Sequence, residues 1–178
     1  MSSSAEFTVT IDTAGVADVP ALSLLSIACA VDNHARFAAP DHLAPYIDSQ
    51  HSRRFFAERL ADRRCIIRLA RLPSGMPIGY MMIDTAELRV TDDLQELELK
   101  RLHILPHFRG RRIGARLFAL AFEDARALGA RRIVIPCAPD DHGSRRFYEA
   151  QGFAFAGERS VKMGAVRYST LLFSRALD

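Results

Sequence analysis

The chain has 178 residues, 49% hydrophobic and 25% charged, a balance that suits one globular domain with a substantial core and excludes a disordered or fibrous protein. The net charge is only +3, and the arginine pairs at 53/54, 63/64, 111/112, 131/132 and 145/146 lack a lysine-rich run or interleaved aromatics, so no nucleic-acid partner is expected. No apolar run reads as membrane-spanning and Met1 to Glu6 has no signal-peptide character, so the reading is a cytoplasmic protein with no membrane partner.

In chain order, Phe7 to Ile11 alternates as a short strand, and Val16 to Val31 reads as an amphipathic helix beginning near Pro20. Asp32 to Gln50 is rich in Pro, His and Asp and predicts a loop, which leads into a helix over Ser52 to Leu60. Cys65 to Leu72 and Pro77 to Ile83 form a hairpin around Pro73-Ser74-Gly75, and Asp84 to Asp93 is a polar connector. Cys29, Cys65 and Cys137 are odd in number and lack Cys-x-x-Cys spacing, so they read as reduced buried thiols; no metal site is expected.

Residues 96 to 105 change phase. Leu97 and Leu99 are apolar at odd positions, Leu102 and Ile104 at even ones, with the flip near Lys100-Arg101. A strand keeps a period of two unless an extra residue intervenes, so the flip predicts a β-bulge that turns backbone groups toward a ligand. The strand then enters a join, Leu105-Pro106-His107-Phe108-Arg109-Gly110-Arg111-Arg112-Ile113-Gly114-Ala115, that crowds arginine and glycine at a helix start. The first helical amides have no intrahelical partner and sit at the positive end of the helix dipole, which suits a phosphate. Ile113, Leu117, Leu120, Ala121 and Leu128 share one helical face, Gly129 fits the C-terminal cap, and Arg132 to Cys137 is a strand containing an unexpected Pro136.

The join resembles the acyl-CoA pyrophosphate loop of the GNAT superfamily of N-acetyltransferases, Gln/Arg-x-x-Gly-x-Gly/Ala, with Arg109 first and Gly114 last. Arg112 replaces the middle glycine. Helical dihedrals there leave an arginine unstrained and add a cation near the phosphates, whereas a positive φ demands a remodelled loop. Asp141-His142-Gly143-Ser144-Arg145-Arg146-Phe147-Tyr148 through Gly152-Phe153 is similar to the superfamily's Asn-x-x-Ala-x-x-Phe-Tyr-x-x-x-Gly-Phe, whose tyrosine protonates the departing CoA thiolate. Asp141 and Ser144 depart from that pattern, although Asp141 can still cap a helix. Glu98-Leu99-Lys100-Arg101-Leu102-His103-Ile104 resembles the Glu-Leu-x-Arg-Ile-Tyr-Val of a branch that includes bacterial polyamine acetyltransferases, with His103 at the tyrosine position.

The resemblance implies a single α/β domain over residues 1–178, with a mixed, mostly antiparallel sheet, helices on both faces and a bulge in the cofactor-binding strand. It implies acetyl-CoA as donor, bound by the backbone of Leu102, His103 and Ile104, by Arg109, Gly110, Arg111, Arg112, Ile113, Gly114 and Ala115 at the pyrophosphate, and by Asp141 and Ser144. The acceptor is an amine of a small molecule or peptide. Tyr148 serves as acid, and Glu98 as base directly or through water. Asp32, His34, Tyr46, His51, Phe55 and Phe56 are acceptor-side candidates without assigned roles, and a homodimer is left open. The departures at Arg112, Asp141 and Ser144 motivate one alternative, a non-catalytic acyl-CoA-binding or regulatory module of the same fold.

Overall fold

A computed structural model describes residues 8–88, 90–91, 95–163 and 165–177. Seven strands, Thr10–Thr13 (β1), Ile66–Arg71 (β2), Pro77–Thr85 (β3), Glu96–Ile104 (β4), Arg132–Cys137 (β5), Ala154–Met163 (β6) and Val166–Ala176 (β7), form one sheet in the order β1-β2-β3-β4-β5-β7-β6. Among the described residues only β4 and β5 pair in parallel, and a helical crossover joins them as a parallel pair requires. The remaining pairs are antiparallel, so the sheet has the expected mixed, mostly antiparallel character. β1 begins later than its alternation suggests because pairing with β2, from Thr10 opposite Arg71 to Thr13 opposite Arg68, sets its bounds. Phe7 lies outside the described residues, as do Arg89, Asp92 and Asp93 of the polar connector.

Among the described residues five α-helices, Val19–His34 (α1), Pro40–Gln50 (α2), Arg53–Ala61 (α3), Ile113–Ala127 (α4) and His142–Ala150 (α5), accompany the sheet. With the 3-10 turn before it, α1 extends over Val16–His34, 19 residues at a mean hydropathy of 1.4, long and apolar enough to cross a membrane by those measures. That corrects the reading that no such run exists; in the fold Leu22, Leu25 and Cys29 are buried against the sheet. α2 replaces the loop expected between Asp32 and Gln50. Pro40 occupies the first helical turn, where proline is tolerated, and although Pro45 removes one helical hydrogen bond, Leu43, Tyr46 and Ile47 pack with Met163 and Tyr168 of the β6–β7 hairpin. Ser52 caps α3 by accepting from the Phe55 amide at 3.2 Å. Gly129, at φ +74°, follows α4 as expected.

Two cores sandwich the sheet. On one face α4 buries Ile113, Leu117, Phe118 and Ala121 against Met81, Ile83, Leu97, Leu99, Ile133 and Phe173; on the other, α1 and α3 bury Leu22, Leu25 and Phe56 against Ile67, Leu69, Tyr80 and Met82. The predicted bulge is present. Met82 pairs with Arg101 and Ile83 with Leu99, so Lys100 is the extra residue on β4. This half-turn keeps Leu97 and Leu99 before it, and Leu102 and Ile104 after it, on the same α4-facing core.

Candidate functional site

β4 and β5 pair only from Glu96 opposite Arg132 to Glu98 opposite Val134, while β4 continues to Ile104 and β5 to Cys137. Beyond the bulge the two strands therefore diverge within the sheet. Pro136 pairs in register with Leu172 of β7, and its lack of an N–H costs no ladder bond on the side where β4 has moved away. The split opens into a cleft of about 990 Å³ lined by β4 from Leu99 to Ile104, by Pro136, Cys137 and Ala138, and by the starts of α4 and α5. That volume is at the upper end for small-molecule sites.

On one side lies the 109–115 join. Gly110 has φ +76° and Arg112 φ +58°, the one positive-φ residue other than glycine among the described residues. The condition under which Arg112 is unstrained is not met: the position takes the left-handed conformation that favours glycine. The first bond of α4 runs from the Arg116 amide to the Arg112 carbonyl at 3.1 Å, which leaves the amides of Ile113, Gly114 and Ala115 without helical acceptors. Gly114 lines the cleft, and a Cβ there would lie 3.3 Å from Ile104 Cδ1. Arg109 lines it as well, but its Nη2 donates to Asp32 Oδ2 at 2.6 Å and its Nε to the Ile104 carbonyl at 3.0 Å, so it ties the join to α1 and β4. The side chains of Arg111, Arg112, Ile113 and Ala115 do not line the cleft: Ile113 is buried under the sheet and the other three are exposed. What these residues present to a phosphate is backbone amides, with the exposed side chains of Arg111 and Arg112 beside them.

At the start of α5, Asp141 accepts from the Ser144 amide at 2.9 Å and from Ser144 Oγ at 2.7 Å. Both residues line the cleft, yet each satisfies the other, so they stand as a helix cap within the wall. Tyr148 also lines the cleft. Its ring stacks on Phe118 at 6.2 Å, and burial pushes the phenol above its ordinary pKa, which keeps it protonated. Burial likewise raises the Cys137 thiol in the same wall to about 11.

The other side of the cleft is built by the end of α1, with Asn33, His34, Arg36 and Phe37, against Lys100, Arg101 and His103 of β4. Because the bulge resets the alternation, Arg101 and His103 face α1 and α3. His103 Nδ1 is 3.0 Å from Asn33 Nδ2, and the ring lies 5.6 Å from Tyr80. Behind them runs a buried chain in which Ser26 Oγ is 2.7 Å from Tyr80 Oη and 2.5 Å from His51 Nδ1, and Ser23 donates to the His51 carbonyl at 2.7 Å. Burial, then the positive charge of Arg101, drives His51 to about 2 and His103 to about 3; the same causes, with Arg36, lower His34. All three imidazoles are neutral at pH 7. His34 Nδ1 is buried without a hydrogen-bond partner.

Glu98 is absent from this assembly. It is 5% exposed, and its Oε2 accepts from the amides of Glu87 at 3.0 Å and Leu88 at 3.2 Å. It precedes the bulge, pairs with Asp84 and Val134, and does not line the cleft, so the expectation that it meets the amine directly is corrected. Of the acceptor-side candidates, Asp32 and His34 line the cleft, whereas Tyr46, His51, Phe55 and Phe56 stand behind it. Arg101, Asn33 and Phe37 were missed; applying the bulge's change of phase to Arg101 would have placed it on the face of His103.

The model of the Acetyltransferase (GNAT) family matches residues 30–153. An uncharacterized N-acetyltransferase of Mycobacterium tuberculosis is 31% identical over 139 residues, 78% of this chain and 85% of that protein. Among solved structures, the PaiA N-acetyltransferase of Thermoplasma acidophilum in complex with coenzyme A superposes with a TM-score of 0.73 at 13% identity, over 95% of this chain and 99% of that one. An N-acetyltransferase of Staphylococcus aureus superposes with a TM-score of 0.73 at 16% identity, over 96% and 99% of the two chains. At these identities the structural likeness speaks for the fold alone.

Proposed function

The chain belongs to the GNAT acetyltransferase family, with acetyl-CoA as its acetyl donor, and from that premise we propose that it passes acetyl directly to a primary amine of a small molecule. The observation that carries this reading is the split between β4 and β5, with the free amides of α4 at one end and the protonated Tyr148 in its wall. Amides 113–115 and Gly110 receive the pyrophosphate, and the backbone of Leu102 to Ile104, released from β5, lies along the pantetheine. The amine nitrogen bonds to the thioester carbonyl carbon, the carbon–sulfur bond breaks, the Tyr148 phenol gives its proton to the thiolate, and the tyrosinate regains one from the acylated nitrogen, directly or through water.

An alkyl amine is mostly protonated at neutral pH and must lose a proton before it attacks. His34, neutral and lining the cleft, takes that proton in place of Glu98. Direct transfer is favoured over an acyl-cysteine route because Cys137, the thiol in the wall, is held protonated by burial. A thiol-release assay with acetyl-CoA and a panel of amines tests the reading. Amine-dependent release is expected; tight coenzyme A binding with no release for any amine would favour the non-catalytic module instead.

A further inference from the structure

Four cations line the cleft, and three of them are neutralised. Arg109 pairs with Asp32 at 2.6 Å, Arg36 with Asp140 at 3.4 Å, and Lys100 with Asp84 at 3.8 Å and with Glu87. Arg101 has no carboxylate partner among the described residues, although it is the most enclosed of the four at 7% exposure. Its contacts are the Gln50 carbonyl at 2.9 Å from Nη2, Met82 Sδ at 3.6 Å from Nη1, and the faces of Phe55 at 4.9 Å and Phe56 at 6.0 Å. One carbonyl, one thioether and two rings hold the guanidinium in place without cancelling its charge, and they leave most of its five N–H groups unclaimed.

A buried charge without a counter-ion is costly, and a ligand that supplies the opposite charge offsets that cost. The surroundings have the same sign: apart from one another, the charged groups that act on His34, His51 and His103 are Arg101, Arg36 and Arg109, each of them cationic. A polycation would add further positive charge to this side of the cleft, where Asp32 is already committed to Arg109. A planar carboxylate, in contrast, matches the donor fork of a guanidinium.

We propose that Arg101 anchors a carboxylate carried by the acceptor, so that the substrate is an amino-acid-type zwitterion whose amine lies close to its carboxylate, and neither a polyamine nor a peptide N-terminus. The proposal rests on the acetyl-transfer reading for the amine and adds the second group that the acceptor must carry. Arg101 stands one residue beyond the bulge, on the strand segment that borders the split, so a carboxylate held there keeps the adjacent amine beside the thioester. It is a binding and specificity-determining residue rather than an acid or base.

The test compares the full chain with Arg101→Met and Arg101→Lys, both checked for folding by circular dichroism. The probes are the proteinogenic amino acids, each paired with its decarboxylated amine and its methyl ester, together with spermidine. In the thiol-release assay the best amino acid should exceed its amine and ester by about 100-fold in kcat/KM, a gap within reach of one charge-assisted bidentate contact. Arg101→Met should reduce that ratio at least tenfold and Arg101→Lys should restore part of it. A purely structural role would lower all rates together and leave the ratio unchanged. Calorimetry of the N-acetylated amino acids on the coenzyme A complex gives a readout independent of turnover, with affinity in the wild type lost in Arg101→Met. Equal or better use of spermidine or of the decarboxylated amines, a ratio insensitive to Arg101, or no carboxylate binding by the folded wild type overturns the proposal. Failure to release thiol with any amine sinks the acetyl-transfer reading instead, since the carboxylate titration is read without catalysis.

Discussion

Replacing Arg112 by glycine should stabilise the folded protein, because the residue is held at φ +58° and ψ +8° with a side chain that is exposed and without a partner among the described residues. A Cβ in the left-handed region costs about 1–2 kcal/mol, and glycine removes that cost. Glycine also frees the unfolded chain, which returns about 0.5–1 kcal/mol. The balance is a gain of about 0.5–1 kcal/mol, and for a chain of this length that raises Tm by roughly 1–4 °C. Arg112→Ala separates backbone from charge: it keeps the Cβ and the strain, so its Tm should stay close to that of the wild type, within about 0.5 kcal/mol. Both variants lose one cation beside the amides of α4, so they should weaken coenzyme A to a similar, modest extent in calorimetry. Scanning calorimetry on the ligand-free chain decides the matter. A glycine variant no more stable than the alanine variant would refute the argument from strain.

Gly114→Glu should abolish coenzyme A binding measured by calorimetry, since even a Cβ meets Ile104 Cδ1 at 3.3 Å and the carboxylate places negative charge where phosphate approaches; undiminished affinity in the folded variant would remove the site. Tyr148→Phe keeps the packing on Phe118 and should lower kcat by about 10²-fold with little change in acetyl-CoA affinity, read by stopped-flow thiol release. kcat/KM should rise with pH through an acid limb centred below the ordinary histidine value, because burial, Arg101 and Arg36 all disfavour the His34 imidazolium. His34→Gln should remove that limb, whereas Glu98→Gln should leave it and instead destabilise the fold by about 1–3 kcal/mol by setting an amide against the Glu87 and Leu88 donors. Stability should fall on acidification below about pH 6.5, where His51 and His103 gain protons in the unfolded chain but resist them when folded until about 2 and 3. The two groups together give a slope of up to about 2.7 kcal/mol per pH unit, and His51→Gln should halve it in denaturant titrations at pH 4–6.

Much of this protein is written locally in its sequence. The alternation of Leu97 and Leu99 against Leu102 and Ile104 already contains the bulge, because side chains on a pleated strand must alternate and only an inserted residue can shift them. Gly110, Gly114 and the helical period after Ile113 likewise announce a glycine-flanked helix start from neighbouring residues alone, and Asp141 announces the cap it forms. α2 was not legible, since Pro40, His42 and Pro45 describe a loop until Leu43, Tyr46 and Ile47 meet the β6–β7 hairpin that holds them in a helix. Nor could sequence tell which carboxylate or imidazole reaches the cleft. Glu98 and Arg101 are three residues apart on one strand, yet the bulge and the strand divergence bury one against the 87–88 amides and place the other in the cleft wall. The site is closed by contacts between segments far apart in the chain, Asn33 with His103 at a separation of 70 residues and Asp32 with Arg109 at 77. Local periodicity follows from the geometry of a single backbone segment, whereas these encounters depend on how the sheet's register and the packing of α1 bring separate segments together, and only the tertiary structure decides that.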